Sequence, residues 1–144
     1  MISSMLVVCV GNVCRSPMAE GILRVRLPAV RLGSAGIGAL AGNAPEEHAI
    51  SLMAERGIDI STHRARQLDA SLCRDVEFIL VMDNEQKRVI ESNYTFACGR
   101  VFRLGHFGKF DVPDPYRASR ETFAACGELI DRGISDWVSR IHAL

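Results

Sequence analysis

The chain has 144 residues, 48% of them hydrophobic, which suits a single domain over residues 1–144 with a packed core and excludes a disordered chain. Its 17 basic and 17 acidic residues cancel to a formal net charge of zero, which argues against nucleic acid as a partner, since such binders are distinctly basic. Five cysteines without disulfide-framework or zinc-finger spacing, and no signal peptide or run long enough for membrane insertion, predict a reducing, cytoplasmic setting with free thiols.

Ser4 to Val10 is a short, nearly continuous apolar run that reads as a buried parallel strand. Gly11 and Asn12 break it. Ser16 followed by Pro17 predicts a helix start, with serine as N-cap and proline at the first helical position. That helix should run to about Leu27, where Pro28 stops it. A second strand is expected over Val30 to Ser34, then a loop of small residues from Ala35 to Ala44. Pro45 opens another helix, which ends before Gly57. Phe78 to Met82 reads as a third buried strand, and Asp83 or Asn84 caps a helix to about Glu91. Val101 to Leu104 makes a short fourth strand. After a loop from Gly105 to Ala118, the last helix spans about Ser119 to Ile141. Phe123, Cys126, Ile130, Ile134, Trp137 and Ile141 give it one apolar face. Strands alternating with helices predict an α/β, three-layer fold with a four-stranded parallel sheet in the flavodoxin-like order 2-1-3-4. The switch point of that order lies beside the carboxyl end of strand 1, where Cys9 sits.

The chemistry concentrates there, in Cys9-Val10-Gly11-Asn12-Val13-Cys14-Arg15-Ser16. Backbone N–H groups between a strand and a helix N-terminus can form an anion-binding nest, and the helix dipole adds partial positive charge. Gly11 and Asn12 tolerate the left-handed backbone that such a cradle needs. Arg15 adds a bidentate fork suited to phosphate oxygens. A thiol in such a field ionises more readily than a free one, so the loop that binds phosphate would also activate Cys9 as a nucleophile. A cysteine ending a buried strand is often plain core, and the cradle alone fits a phosphatase, a reductase or a passive binder. Phosphoryl transfer to cysteine further needs a proton for the leaving oxygen. Asp114, in Val112-Pro113-Asp114-Pro115-Tyr116, is the candidate general acid, its loop stiffened by two prolines.

With Ser34-Ala35-Gly36, Thr62-His63-Arg64-Ala65-Arg66-Gln67 and Val81-Met82-Asp83, these segments resemble the low-molecular-weight protein tyrosine phosphatase family over essentially the whole chain. The resemblance implies a fold of the phosphotyrosine phosphatase I type. Gly36 to Leu40 and Asp114 to Phe123 look like the bacterial branch associated with exopolysaccharide and capsule export. Members of that branch typically act on a membrane tyrosine autokinase. By the same resemblance, Cys9 is the nucleophile, Arg15 binds the phosphoryl oxygens, and Asp114 serves as acid and then base. Ser16 stabilises the leaving thiolate, while Asn12, Ser34 and His63 hold the loop in shape. No metal or cofactor is implied. Leu40 stands among small residues where eukaryotic members usually carry a tryptophan, so Leu40 and Tyr116 are expected to wall an aryl phosphate. Arg117 replaces a second tyrosine of the eukaryotic pattern. In the family a pair such as Cys9 and Cys14 can form a reversible disulfide that protects the nucleophile. Cys73, Cys98 and Cys126 read as structural, His48 as an exposed helix residue, and His106 as a weaker candidate near the acid loop.

Two rival readings stand beside this one. Thioredoxin-coupled arsenate reductases share the fold and the oxyanion loop, but they need further cysteines near the end of the third strand, and Met82-Asp83-Asn84 offers none there. A non-catalytic phosphate-binding module would predict loss of Cys9, Arg15 or Asp114, and all three are present.

Overall fold

In the computed structural model, residues 1–143 are described, and helices alternate with strands along the chain. The elements are β1 (Ser4–Cys9), α1 (Arg15–Arg26), β2 (Arg31–Gly36), α2 (Glu47–Glu55), α3 (Ala70–Arg74), β3 (Phe78–Val81), α4 (Asn84–Asn93), β4 (Val101–Arg103) and α5 (Arg120–His142). The four strands form one parallel sheet in the expected order β2-β1-β3-β4, with Met5 opposite both Leu32 and Phe78. All six residues of β1 are buried, as a central strand covered on both faces requires.

Side chains alternate across that sheet and so feed two cores. Met5, Val7 and Cys9 pack into the layer that holds buried residues of α1, α2 and α5. Leu6 and Val8 pack into the opposite layer, with Cys73 of α3 and Ile90 of α4. Cys9 therefore ends the central strand facing the α1 and α5 layer. Gly133 lets α5 close against the end of β4, because a β-carbon there would lie 2.8 Å from Leu104 O. Trp137 Nε1 donates to the same carbonyl at 3.0 Å. These contacts fix the root of the loop that carries Asp114. On the free edge of the sheet, Arg24 Nη2 and Arg66 Nε donate to Leu32 O and Ser34 O at 3.0 and 2.9 Å, so β2 offers few open carbonyls to another strand.

Several boundaries differ from the sequence reading. Helix α1 begins at Arg15, its N-cap is Cys14, and no side chain caps it. Ser16 lies inside the first turn instead of capping it. Pro17 also falls in that turn, where a missing N–H leaves no helical bond unmade. Helix α2 starts two residues beyond Pro45. The short helix α3 was not expected, and Asp69 caps it by accepting from Leu72 N at 2.8 Å. Asp83, one of the two expected candidates, caps α4 through its side chain, and Ser119 caps α5 in the same way. Among the described residues no helix is long and apolar enough to cross a membrane.

Candidate active site

The turn from β1 into α1 wraps around the Cys9 thiol. Asn12 N donates to Cys9 Sγ at 3.3 Å, and Ser16 Oγ lies 3.0 Å from the same sulfur. Asn12 takes φ +58°, the left-handed conformation expected of this cradle, and is fully buried. Its side chain organises the loop from behind. Nδ2 donates to Ser16 Oγ at 2.7 Å and to Ser34 Oγ at 3.0 Å, while Oδ1 accepts from Arg66 N at 3.0 Å. Because Ser16 Oγ already accepts from Asn12, its own proton is free to point at Cys9 Sγ. The N-cap of α1 is Cys14, whose side chain makes no cap hydrogen bond, and the Ser16 hydroxyl in the first turn is directed to sulfur, which leaves N–H groups of that turn open to an anion.

His63 approaches the loop from the other side. Its Nε2 is 2.9 Å from Asn12 O, and since a carbonyl only accepts, Nε2 carries the proton. Nδ1 faces Glu20 Oε1 at 4.0 Å. Asn12, Ser34, Ser16 and His63 thus converge on one turn, although neither Glu20 nor Arg66 was singled out from the sequence.

Arg15 is 2% exposed, and its guanidinium reaches across to the loop before α5. Nη1 donates to Val112 O at 2.8 Å, and Nη2 lies 3.6 Å from Asp114 Oδ2. Asp83 Oδ2 sits 3.8 Å from Nη1. Asp83 therefore has two contacts, one to the α4 backbone and one to the arginine. Sequence reading found only the first. Asp114 Oδ1 accepts from Tyr116 N at 3.0 Å, an Asx turn that aims the carboxylate inward.

A cleft of about 130 Å³ opens over this group, lined by Cys9, Arg15, Leu40, Asp114 and Tyr116 together with the cradle residues Val10, Gly11, Val13 and Cys14. Leu40 and Tyr116 remain 37% and 38% exposed, which makes them apolar lips around a polar floor. A wider groove of about 310 Å³ between α2 and α5 has no cysteine or histidine in its lining. The other thiols differ in character. Burial pushes the Cys14 thiol up, with the Asp114 charge adding to it, and burial pushes Cys126 up to about 12. Both stay protonated at neutral pH. Cys73 is buried in the opposite core, and Cys98 is exposed rather than structural, so neither lines the cleft. His48 is half-buried against the Phe123 ring, 5.2 Å between centroids, rather than exposed. His106 packs edge-on against Phe102 and Phe107 and tilted against Trp137, and it does not line the cleft. Among the described residues no cluster of three His, Cys, Asp or Glu side chains could hold a metal ion.

Comparison with known proteins bears on what this arrangement serves. A family profile described as low molecular weight phosphotyrosine protein phosphatase matches residues 4–143. The probable low molecular weight protein-tyrosine-phosphatase EpsP of Ralstonia nicotianae is 51% identical over 144 residues, covering 100% of this chain and 99% of that one. Wzb of Vibrio vulnificus, solved with benzylphosphonate, superposes with a TM-score of 0.94 at 35% identity over 97% of this chain and 99% of that one. The YwlE arginine phosphatase of Geobacillus stearothermophilus superposes with a TM-score of 0.92 at 30% identity over 98% and 94%. The chain therefore belongs to the low molecular weight phosphotyrosine protein phosphatase family, and it is a protein-tyrosine-phosphatase of that family.

Proposed function

We propose that Cys9, Arg15 and Asp114 carry the hydrolysis. The observation that supports this reading is the single cleft in which a thiol, a buried guanidinium and a carboxyl group meet beneath two apolar lips. The phosphoryl group of an aryl ester enters with its oxygens against the backbone N–H groups of the cradle and the Arg15 fork. It displaces the Asp114 carboxylate from Nη2, which frees Oδ2 to hold a proton. Cys9 Sγ attacks phosphorus as the thiolate. The sulfur–phosphorus bond forms, the bond to the aryl oxygen breaks, and Asp114 gives its proton to the departing oxygen. Asp114, now a carboxylate, takes a proton from water. The water oxygen bonds to phosphorus and the thiolate leaves, with the Ser16 hydroxyl donating to it. Because Cys14 and Cys126 are held as neutral thiols, neither competes as nucleophile.

Leu40 and Tyr116 stand where an aryl ring attached to the bound phosphate would lie. The substrate on this reading is a tyrosine-phosphorylated protein, specifically a membrane tyrosine autokinase of an exopolysaccharide or capsule system, met in the cytoplasm. The resemblance to the bacterial exopolysaccharide branch and the identity with EpsP support that assignment. The test is hydrolysis of matched peptides bearing phosphotyrosine, phosphoserine or phosphoarginine. The phosphotyrosine peptide should be turned over at least roughly tenfold faster in kcat/KM than either of the others. Equal rates, or preference for another phosphoresidue, would overturn the aryl assignment. Turnover of arsenate with thioredoxin would favour the reductase reading.

A further inference from the structure

The lip that carries Leu40 belongs to neither a helix nor a strand. It is the stretch after β2, residues 37–43, and it is held from two sides. Beneath it lies the end of β1. Ile37 N donates to Cys9 O, Gly38 N to Val10 O and Leu40 N to Gly11 O, at 3.0, 3.0 and 3.1 Å. The approach is close enough that a β-carbon on Gly36 would lie 2.5 Å from Val10 O. Outside it runs the extended stretch 63–68. Gly36 N donates to Arg66 O and Leu68 N to Gly36 O at one end, while Gly42 N donates to Ala65 O and Ala65 N to Asn43 O at the other.

Between those two anchored ends, Gln67 reaches in. Its Nε2 donates to Ile37 O at 2.6 Å and its Oε1 accepts from Ala39 N at 2.9 Å. A primary amide presents a donor and an acceptor together, so this one side chain pairs with the loop as a neighbouring peptide unit would. Gln67 is exposed and lines no part of the cleft, so its effect on substrate passes through the loop. The same stretch touches the phosphate cradle through different atoms, His63 Nε2 at Asn12 O and Arg66 N at Asn12 Oδ1. Arg66 thus touches both the cradle and the root of the lip, whereas the Gln67 side chain holds the middle of the lip and makes no bond to the cradle.

From this separation we infer that Gln67 is a positioning residue for Leu40 and sets the affinity of the cleft for the aryl part of a ligand, independently of the grip on phosphate. The inference rests on the reading that Leu40 and Tyr116 flank an aryl ring. Removing the amide frees Ile37 O and Ala39 N to bond with water, so the fold should survive while the lip loses its fixed position.

The experiment measures dissociation constants of benzylphosphonate and of inorganic phosphate by calorimetric titration, which needs no turnover. Failure of the catalytic scheme is therefore read separately, from hydrolysis by the unaltered protein. Gln67→Ala should weaken benzylphosphonate roughly 3- to 10-fold, the range of one or two modest hydrogen bonds, and move inorganic phosphate less than about twofold. Gln67→Glu keeps the acceptor for Ala39 N but sets an oxygen against Ile37 O, so it should fail to rescue. In a Leu40→Ala background, Gln67→Ala should have no further effect on benzylphosphonate. The inference is overturned if both ligands weaken together, if neither does, or if the Gln67 and Leu40 effects simply add.

Discussion

Asn12 is the residue on which the cradle leans most heavily, and Asn12→Ala isolates that dependence. The substitution removes three side-chain hydrogen bonds, to Ser16 Oγ, Ser34 Oγ and Arg66 N, from a fully buried position. At a net value near 1 kcal/mol each, their loss costs about 3 kcal/mol, and the stranded Arg66 N–H adds to it. Alanine at φ +58° costs about 1 kcal/mol more, because asparagine tolerates that conformation and alanine does not. A total of about 4 kcal/mol is a large share of a stability of roughly 5–15 kcal/mol. It should lower the melting temperature by roughly 12–16 °C in a chain of this size. Function should suffer beyond stability, since the Ser16 hydroxyl loses the partner that aims it at Cys9 Sγ. We expect kcat to fall roughly 10- to 100-fold at a temperature where the variant is still folded. Asn12→Gly serves as control: it removes the same bonds without the backbone strain and should be more stable than Asn12→Ala by about 1 kcal/mol. Urea denaturation and steady-state kinetics on both variants check the reasoning. A loss of under about 1 kcal/mol in Asn12→Ala, or unchanged turnover, would refute it.

Asp114→Ala should cut hydrolysis of a phosphotyrosine peptide by roughly 10²–10⁴-fold, and that of para-nitrophenyl phosphate by less, because nitrophenol leaves with little help from an acid; equal losses on both would remove Asp114 from the leaving-group step. Burial raises Cys126 to about 12 and Cys73 to about 11 from an ordinary value of 9.0, and raises Cys14 as well. Below about pH 9 both folded and unfolded chains keep these protons, but above it only the unfolded chain releases them, so stability falls as pH rises. The urea midpoint should therefore drop between about pH 9 and about pH 11, and drop less in Cys126→Ala, whereas a flat midpoint would contradict the burial argument. Peroxide should oxidise Cys9 to the sulfenic acid, which the Cys14 thiol closes to a disulfide with loss of water; in Cys14→Ser a second peroxide molecule instead carries the unprotected sulfenic acid on to the sulfinic acid, so dithiothreitol should restore activity to the unaltered protein and not to Cys14→Ser. Closure should quicken with pH, since burial keeps Cys14 protonated, and equal recovery of Cys14→Ser would exclude the disulfide.

What was legible in the sequence depended on whether a residue's role is local. Cys9 to Ser16 announce a strand-to-helix anion site because glycine, asparagine, arginine and a helix start are all adjacent. The apolar face of α5 and the order of the sheet follow from periodicity and alternation over long stretches. The five residues of helix α3 are too few to show a period, although Asp69 is a usable cap signal. Ser-Pro is a general helix-start pattern and points to Ser16 as N-cap, but the helix starts one residue before it, at Arg15, and the contact of Ser16 with the Cys9 sulfur, seven residues away in sequence, is a tertiary effect. The sequence offers Asp83 as a helix cap and as part of the family-like Val81-Met82-Asp83, and nothing local reports that its second oxygen faces Arg15 from another strand end. Gln67 sits in a motif that resembles the family's, yet its grip on Ile37 and Ala39 spans about thirty residues of chain and appears only once β2 is folded against the strap.

The central claim is that phosphate passes through Cys9, and trapping that intermediate tests it most directly. Protein mixed with a phosphotyrosine peptide, quenched with acid within one turnover, digested and analysed by mass spectrometry should carry a phosphoryl group on the peptide containing Cys9, and Cys9→Ser should neither turn over nor release phosphate. Full turnover by Cys9→Ser, or a phosphoryl group found on any other residue, would contradict the account.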